Sequence, residues 1–210
     1  VAKAAMASGV ARKHIADLDE YAKTLSARLD PIAGTLQSVF EKVRVAPKRV
    51  VFAEGEEDRM IRAANSYASA GLGRAILIGR EAQIQETMAS SGLELNENVE
   101  ISNARVSERN VDYANFLYER LQRNGFLLRD CQRMVNQDRN VFAACMVATG
   151  DADAMVTGLT RSTAVCLQDI GHVIDTAPNA VAFGLTLMLG DRGNAIFIAD
   201  TLMHFRPNPE

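Results

Sequence analysis

The chain has 210 residues, enough for one or two domains with a sizeable core. Its 48% apolar and 23% charged content is that of a globular protein. A net charge of -3 with scattered Lys and Arg excludes a basic nucleic-acid surface, and no apolar run is long enough to span a membrane.

The opening segment reads as helical. Ala2–Ser8 is alanine-rich, Gly9 closes it, and it lacks the apolar core of a signal peptide. A second helix is expected from Ile15 to Leu29, with Leu18, Tyr21, Leu25 and Leu29 in one stripe; Asp30-Pro31 ends it. Ile32–Lys42 follows as an amphipathic helix with Ile32, Leu36, Val39 and Phe40 on one face. These helices carry apolar stripes without an evident partner.

Pro47-Lys48-Arg49 marks a boundary, and the pattern beyond it is regular. Arg49–Ala53 reads as a strand, Asp58–Ala70 as a helix and Arg74–Gly79 as a second strand, a parallel crossover. Arg80–Ser91 is a helix closed by Gly92, Val99–Ser102 a strand, and Asn110–Asn124 a helix. Leu128–Asn136 and Asn140–Thr149 are further helices. Asp153–Gly158 is a strand running into a loop, and Arg161–Ile174 a helix. Val181–Leu189 and Ala195–Ala199 are adjacent strands; the apolar run Ala180–Leu189 reads as buried. The fold class is α/β, with a mostly parallel sheet and flanking helices.

Ligands of open α/β sheets bind beyond the carboxyl ends of the strands. Three such ends carry chemistry. Glu54-Gly55-Glu56-Glu57-Asp58 holds four acids, which form no phosphate cradle; it reads as a solvated turn, with Asp58 capping the next helix. Thr157-Gly158-Leu159-Thr160-Arg161-Ser162-Thr163 gathers a glycine, several hydroxyls and a guanidinium at a helix start. Gly158, Arg161, Ser162 and Thr163 suit an anion there, and equally a well-capped helix. Asp200 ends a strand expected to be buried, and either fixes a turn or meets a ligand. Arg120, Arg123, Arg129 and Arg133 read as a solvated face that could line an anionic pocket.

Cys131, Cys145 and Cys166 lack metal or CxxC spacing and read as reduced, buried thiols of a cytoplasmic protein. The three histidines are far apart, so no metal site is expected. His172 reads as structural.

Several stretches together resemble a known family. Pro47-Lys48-Arg49-Val50-Val51-Phe52-Ala53-Glu54-Gly55-Glu56-Glu57-Asp58-Arg59 is similar to the opening of the phosphotransacetylase-like domain of multidomain NADP-type malic enzymes. Gly150-Asp151-Ala152-Asp153-Ala154-Met155-Val156-Thr157-Gly158 with Thr160-Arg161-Ser162-Thr163-Ala164 resembles its glycine–hydroxyl segment, and Ile196–Thr201 a late strand. Ala4–Lys13 resembles the end of the preceding nucleotide-binding domain.

The resemblance implies the first lobe of a two-lobed fold over residues 31–210, with residues 1–30 ending the upstream domain. It implies no catalytic residue here, because the family's catalytic Ser-Arg and Asp follow the last residue of this chain. Arg120 or Arg123 would match a family arginine. Another is expected one turn into the helix after the loop, where Gln168 stands. A neutral amide cannot supply the fixed charge that acyl transfer would use. The implied role is therefore a regulatory, acetyl-CoA-sensing and homo-oligomerising domain of an NADP-dependent malic enzyme. NADP and a divalent Mg or Mn ion would sit in the upstream domain, with no cofactor in this region. An active phosphate acetyltransferase is the alternative, and a nonbinding assembly module a third.

Overall fold

The structure, a computed structural model, describes residues 2–9, 15, 17–18, 21–22, 31–190 and 195–200. The chain divides into a unit of residues 43–181 and a second unit made of residues 1–42 and 182–210. In the second unit α1 spans Ala2–Ala7, followed by Gly9 at φ 74°. The expected helix from Ile15 to Leu29 lies mostly outside the described residues. Helix α2, Pro31–Val45, runs across the boundary between the units, and its Leu36, Val39 and Phe40 are exposed.

The central unit is built on four parallel strands. These are β1 (Lys48–Phe52), β2 (Gly73–Ile78), β3 (Val99–Ser102) and β4 (Ala154–Val156). Their order is β3-β2-β1-β4. Register is tight: Val51 faces Ile76 on one side and Met155 on the other. Around the strands lie α3 (Asp58–Ser69), α4 (Glu81–Ser91), α5 (Asn110–Leu121), α6 (Leu128–Gln137), α7 (Arg139–Ala148) and α8 (Thr163–Gly171).

Strand alternation sorts the core into two layers. Val51, Ala53, Ile76 and Ile78 pack with Tyr113 and Leu117 of α5, Val135 of α6 and Val141–Met146 of α7. Val50, Phe52, Ala75 and Leu77 pack with Met60, Ile61 and Ala64 of α3 and with Ile84 of α4. Both faces of β1 and β2 are covered, which is why these strands read as continuous apolar runs. Helix α7 is buried from Asn140 to Met146, so its apolar residues show no single stripe.

Two glycines set the spacing of β1 and β2. A Cβ on Gly73 would lie 1.9 Å from the Lys48 carbonyl oxygen, and its φ of 152° is hostile to other residues. A Cβ on Gly55 would meet the Ile78 backbone at 2.9 Å. At the amino edge of the sheet, Asp153 Oδ2 accepts the Arg49 N–H at 2.7 Å, and the Arg49 guanidinium donates to the Gly150 carbonyl. Asp151 accepts from the Tyr113 hydroxyl at 2.6 Å and from Arg109 at 2.8 Å. Burial, together with that carboxylate, pushes the Tyr113 phenol up to about 12.

The last strands depart from expectation. Strand β5 covers only Leu185–Leu189 and pairs antiparallel with β6, Ala195–Ala199, in a separate ribbon. Rather than being buried, it exposes apolar side chains on both faces: the opposed pairs Leu187/Phe197 and Met188/Ile196 are 46/67% and 53/59% accessible. A continuous apolar run signals burial only when layers cover both faces. The expected helix cap by Asp58 is also replaced. Glu57 holds the N-cap position without a side-chain bond, and Asp58 pairs with Arg62 one turn on, at 2.9 Å. Among the described residues no helix is long and apolar enough to cross a membrane.

Candidate functional site

The chain steps from β1 to β2 to β3 in one direction, and β4 then returns to the other side of β1. The carboxyl ends of β1 and β4 therefore flank a topological switch point, where such sheets open a crevice. Two segments meet there: Glu54-Gly55-Glu56 after β1, and Thr157–Ser162 after β4.

Glu54 joins them. Its side chain is buried, at 3% exposure, and does not form part of a solvated turn. Oε2 accepts the Leu159 N–H at 2.6 Å, while Oε1 accepts the Thr160 N–H at 2.8 Å and the Thr160 hydroxyl. Burial alone would raise the Glu54 pKa. The Thr160 hydroxyl and the amides of Leu159, Thr160 and Gly158 outweigh it and hold the carboxyl below its ordinary value. Gly158, at φ 98°, makes the turn that presents these amides.

A second network fixes the far side of the loop. The Thr157 hydroxyl donates to Asn140 Oδ1 at 2.6 Å, and Asn140 Nδ2 donates to Asp169 Oδ2 at 2.9 Å. Arg161 Nη1 donates to Asp169 at 2.9 Å and to Asp138 Oδ2 at 2.6 Å. Asp138 Oδ1 caps α7 through the amides of Asn140 and Val141. The bond to Asp138 leads in holding the Arg161 guanidinium above its ordinary pKa. Two carboxylates thus neutralise Arg161, and Glu54 adds a third negative charge to the loop's support. Ser162 is the N-cap of α8, its Oγ accepting from the Val165 N–H. Thr163 opens that helix and is exposed. Gln168 lies on the same helix, also exposed.

The structure brings Gly158, Arg161, Ser162 and Thr163 together in one loop. Arg120 is elsewhere: its Nε donates to the His172 carbonyl at 3.0 Å and its guanidinium pairs with Asp175. Those contacts lie past the end of α8, a helix about 13 Å long, whereas Ser162 caps its start. Arg123 sits in a 3₁₀ turn, Gln122–Asn124, after α5, and is exposed. Asp200 belongs to the ribbon unit, where its Oδ1 lies 3.4 Å from the position of a Cβ on Gly184. His172 packs edge-on against the Phe126 ring at 5.8 Å between centroids.

Asp138, Asn140 and Asp169 went unseen in the sequence, and Glu54 reads there only as one acid of a solvated turn. Asp138 before an apolar helix is a legible cap signal, but Glu54, Asn140 and Asp169 act across 8 to 106 positions. The Gly150–Asp153 stretch also divides. Its acids brace the amino edge of the sheet, opposite the loop that follows β4.

The model of the phosphate acetyl/butaryl transferase family matches residues 34–210. The chain belongs to that family. Its relatives come in two kinds. An NADP-dependent malic enzyme of Rhizobium meliloti is 53% identical over 211 residues, covering all of this chain and 28% of the relative. The NADP-dependent malic enzyme of Escherichia coli is 34% identical with the same coverage. A phosphate acetyltransferase of Clostridium acetobutylicum is 30% identical, over 83% of this chain and 53% of its own. The fold agrees with the EutD phosphotransacetylase from Staphylococcus aureus, at a TM-score of 0.69 and 24% identity over 79% of this chain and 49% of that one. The chain thus spans just over a quarter of the malic enzymes it matches and about half of a solved phosphotransacetylase.

Proposed function

We propose that this chain is a regulatory, acetyl-CoA-sensing and oligomerising domain of an NADP-dependent malic enzyme that decarboxylates malate oxidatively to pyruvate. The observation that carries the reading is its end-to-end match to malic enzymes, including residues 1–33, which precede the transferase family match. The loop after β4 supports a sensing role over a catalytic one. Its one guanidinium, Arg161, is held by Asp138 and Asp169, and Gln168 stands where the family resemblance expects a second charge. Acyl transfer to phosphate needs positive charge free to meet a developing negative one.

Binding here would shift malate turnover only if acetyl-CoA prefers one state of the assembly. The apolar ribbon of β5 and β6 offers a surface that oligomerisation would cover. NADP and a divalent Mg or Mn ion belong to the proposed whole enzyme. No residue of this chain is assigned to either.

The test is malate-dependent NADP reduction by the full-length protein with and without acetyl-CoA, alongside calorimetry. Binding that changes turnover supports the reading, and absence of both removes it. An active phosphate acetyltransferase is the second reading, favoured by the likeness to the Clostridium enzyme. Acetyl phosphate formation at background would remove that one.

A further inference from the structure

A cavity of about 350 Å³ opens on the α5 and α7 face of the sheet, at its β3 edge. Small-molecule sites usually measure about 300–1,000 Å³. Strand register places its walls: Arg49 stands opposite Arg74, and Ile76 opposite Glu100. Side chains two residues apart on a strand share a face, so these four line the same one. Most of the charge there is spent. Arg49 pairs with Asp153 at 3.7 Å, and Arg109 pairs with Asp151 at 2.8 Å and with Asp112 at 2.9 Å. Arg74 and Glu100 differ. Both are exposed, and neither has an ion pair among the described residues.

The cavity therefore offers one uncommitted charge of each sign. Arg74 and Glu100 lie on neighbouring strands one row apart, about 8 Å between Cα atoms by the spacing of a sheet. A ligand that meets both must carry opposite charges close together, as on a single carbon. Ile76 and Met146 line the floor, each keeping a little exposed surface, 5% and 7%. An apolar group suits that floor. From this juxtaposition we infer that the cavity is a site for a free α-amino acid with an apolar side chain. Arg74 donates to its carboxylate, Glu100 accepts from its ammonium group, and its side chain lies over Ile76 and Met146. The site shares no residue with the Gly158 loop, so its occupancy and the binding of acetyl-CoA are separable.

Calorimetry on the full-length protein tests this with four probes at millimolar concentration. L-Leucine carries both charges and an apolar group. Isocaproate lacks the ammonium group, isoamylamine lacks the carboxylate, and glycine lacks the side chain. Leucine is expected to bind, with the two singly charged probes at least about fivefold weaker and glycine about threefold weaker. Arg74→Gln and Glu100→Gln should each weaken leucine about fivefold, being the loss of one charge-assisted contact at an exposed site. Arg59→Gln, at an exposed position of α3 in the other layer, should leave leucine unchanged. Four results would each overturn the assignment: no leucine binding up to about 10 mM, equal binding of glycine or of a singly charged probe, binding that survives both Arg74→Gln and Glu100→Gln, or a loss on Arg59→Gln that matches theirs. Arg74 and Glu100 are exposed and without ion pairs, so their variants are expected to fold, as circular dichroism can check.

Discussion

The clasp between Glu54 and the loop after β4 can be weighed by one substitution, Glu54→Gln. The side-chain volume is nearly conserved, so packing of the buried site is kept. What changes is that one oxygen becomes an NH₂ group and the charge disappears. Oε2 now accepts from Leu159, and Oε1 from both groups of Thr160, so either orientation of the amide sets a donor against a donor. A hydrogen bond to a charged group contributes about 1.5–3 kcal/mol, and a stranded buried donor costs about 1–3 kcal/mol. Loop opening should become easier by roughly 3 kcal/mol, or about a hundredfold in the opening equilibrium. Hydrogen–deuterium exchange of a peptide covering residues 157–162 reads this directly, since the amides of Leu159 and Thr160 are the bonded groups. Thr160→Val is the graded control: it removes only the hydroxyl and should cost about 1 kcal/mol, roughly fivefold in exchange. If Glu54→Gln changes exchange at these amides by less than about threefold, the carboxylate is not what orders the loop.

Three further outcomes are expected. Glu54's folded pKa lies below its ordinary 4.5, so its contribution is fully present above that value and fades as pH falls through the lowered one. Thermal melts should therefore show a constant gap between the parent and Glu54→Gln from about pH 8 to 5, closing only in more acid solution. Gly73→Ala should give insoluble or unfolded protein on expression, with a penalty of at least about 3 kcal/mol, because the new Cβ would meet the Lys48 carbonyl 1.9 Å away in a hostile φ. The three cysteines are free and buried, and burial pushes the Cys145 thiol up to about 12. A thiol-reactive dye at neutral pH should leave all three unmodified until denaturant is added; modification in the native protein would contradict their burial.

Much of the α/β unit was legible because its signals are local. The period of Met60, Ile61, Ala64 and Ala68 marks α3, and the run Ala75–Ile78 marks a strand buried on both faces. Gly92, at φ 62°, marks the end of α4, and Ser162 the start of α8. The candidate loop was visible too, as a glycine and hydroxyls between a strand and a helix. What governs it was not. Glu54 reads as one of four acids in a polar turn, and nothing nearby in sequence distinguishes it from Glu57. Only the pairing of β1 with β4 lays it beside Leu159 and Thr160, 105 and 106 positions away.

The same division explains Arg161. A guanidinium among hydroxyls reads as an anion contact, yet its charge is already answered by Asp138, the cap of α7, and by Asp169 of α8. Residue type, spacing and resemblance fixed the fold class and the family, because periodicity and punctuation are written along the chain. Which charges are free and which are spent was decided by strand order and helix packing. Electrostatic pairing depends on distances of about 3 Å across the fold, and those exist only after β4 has come to lie beside β1.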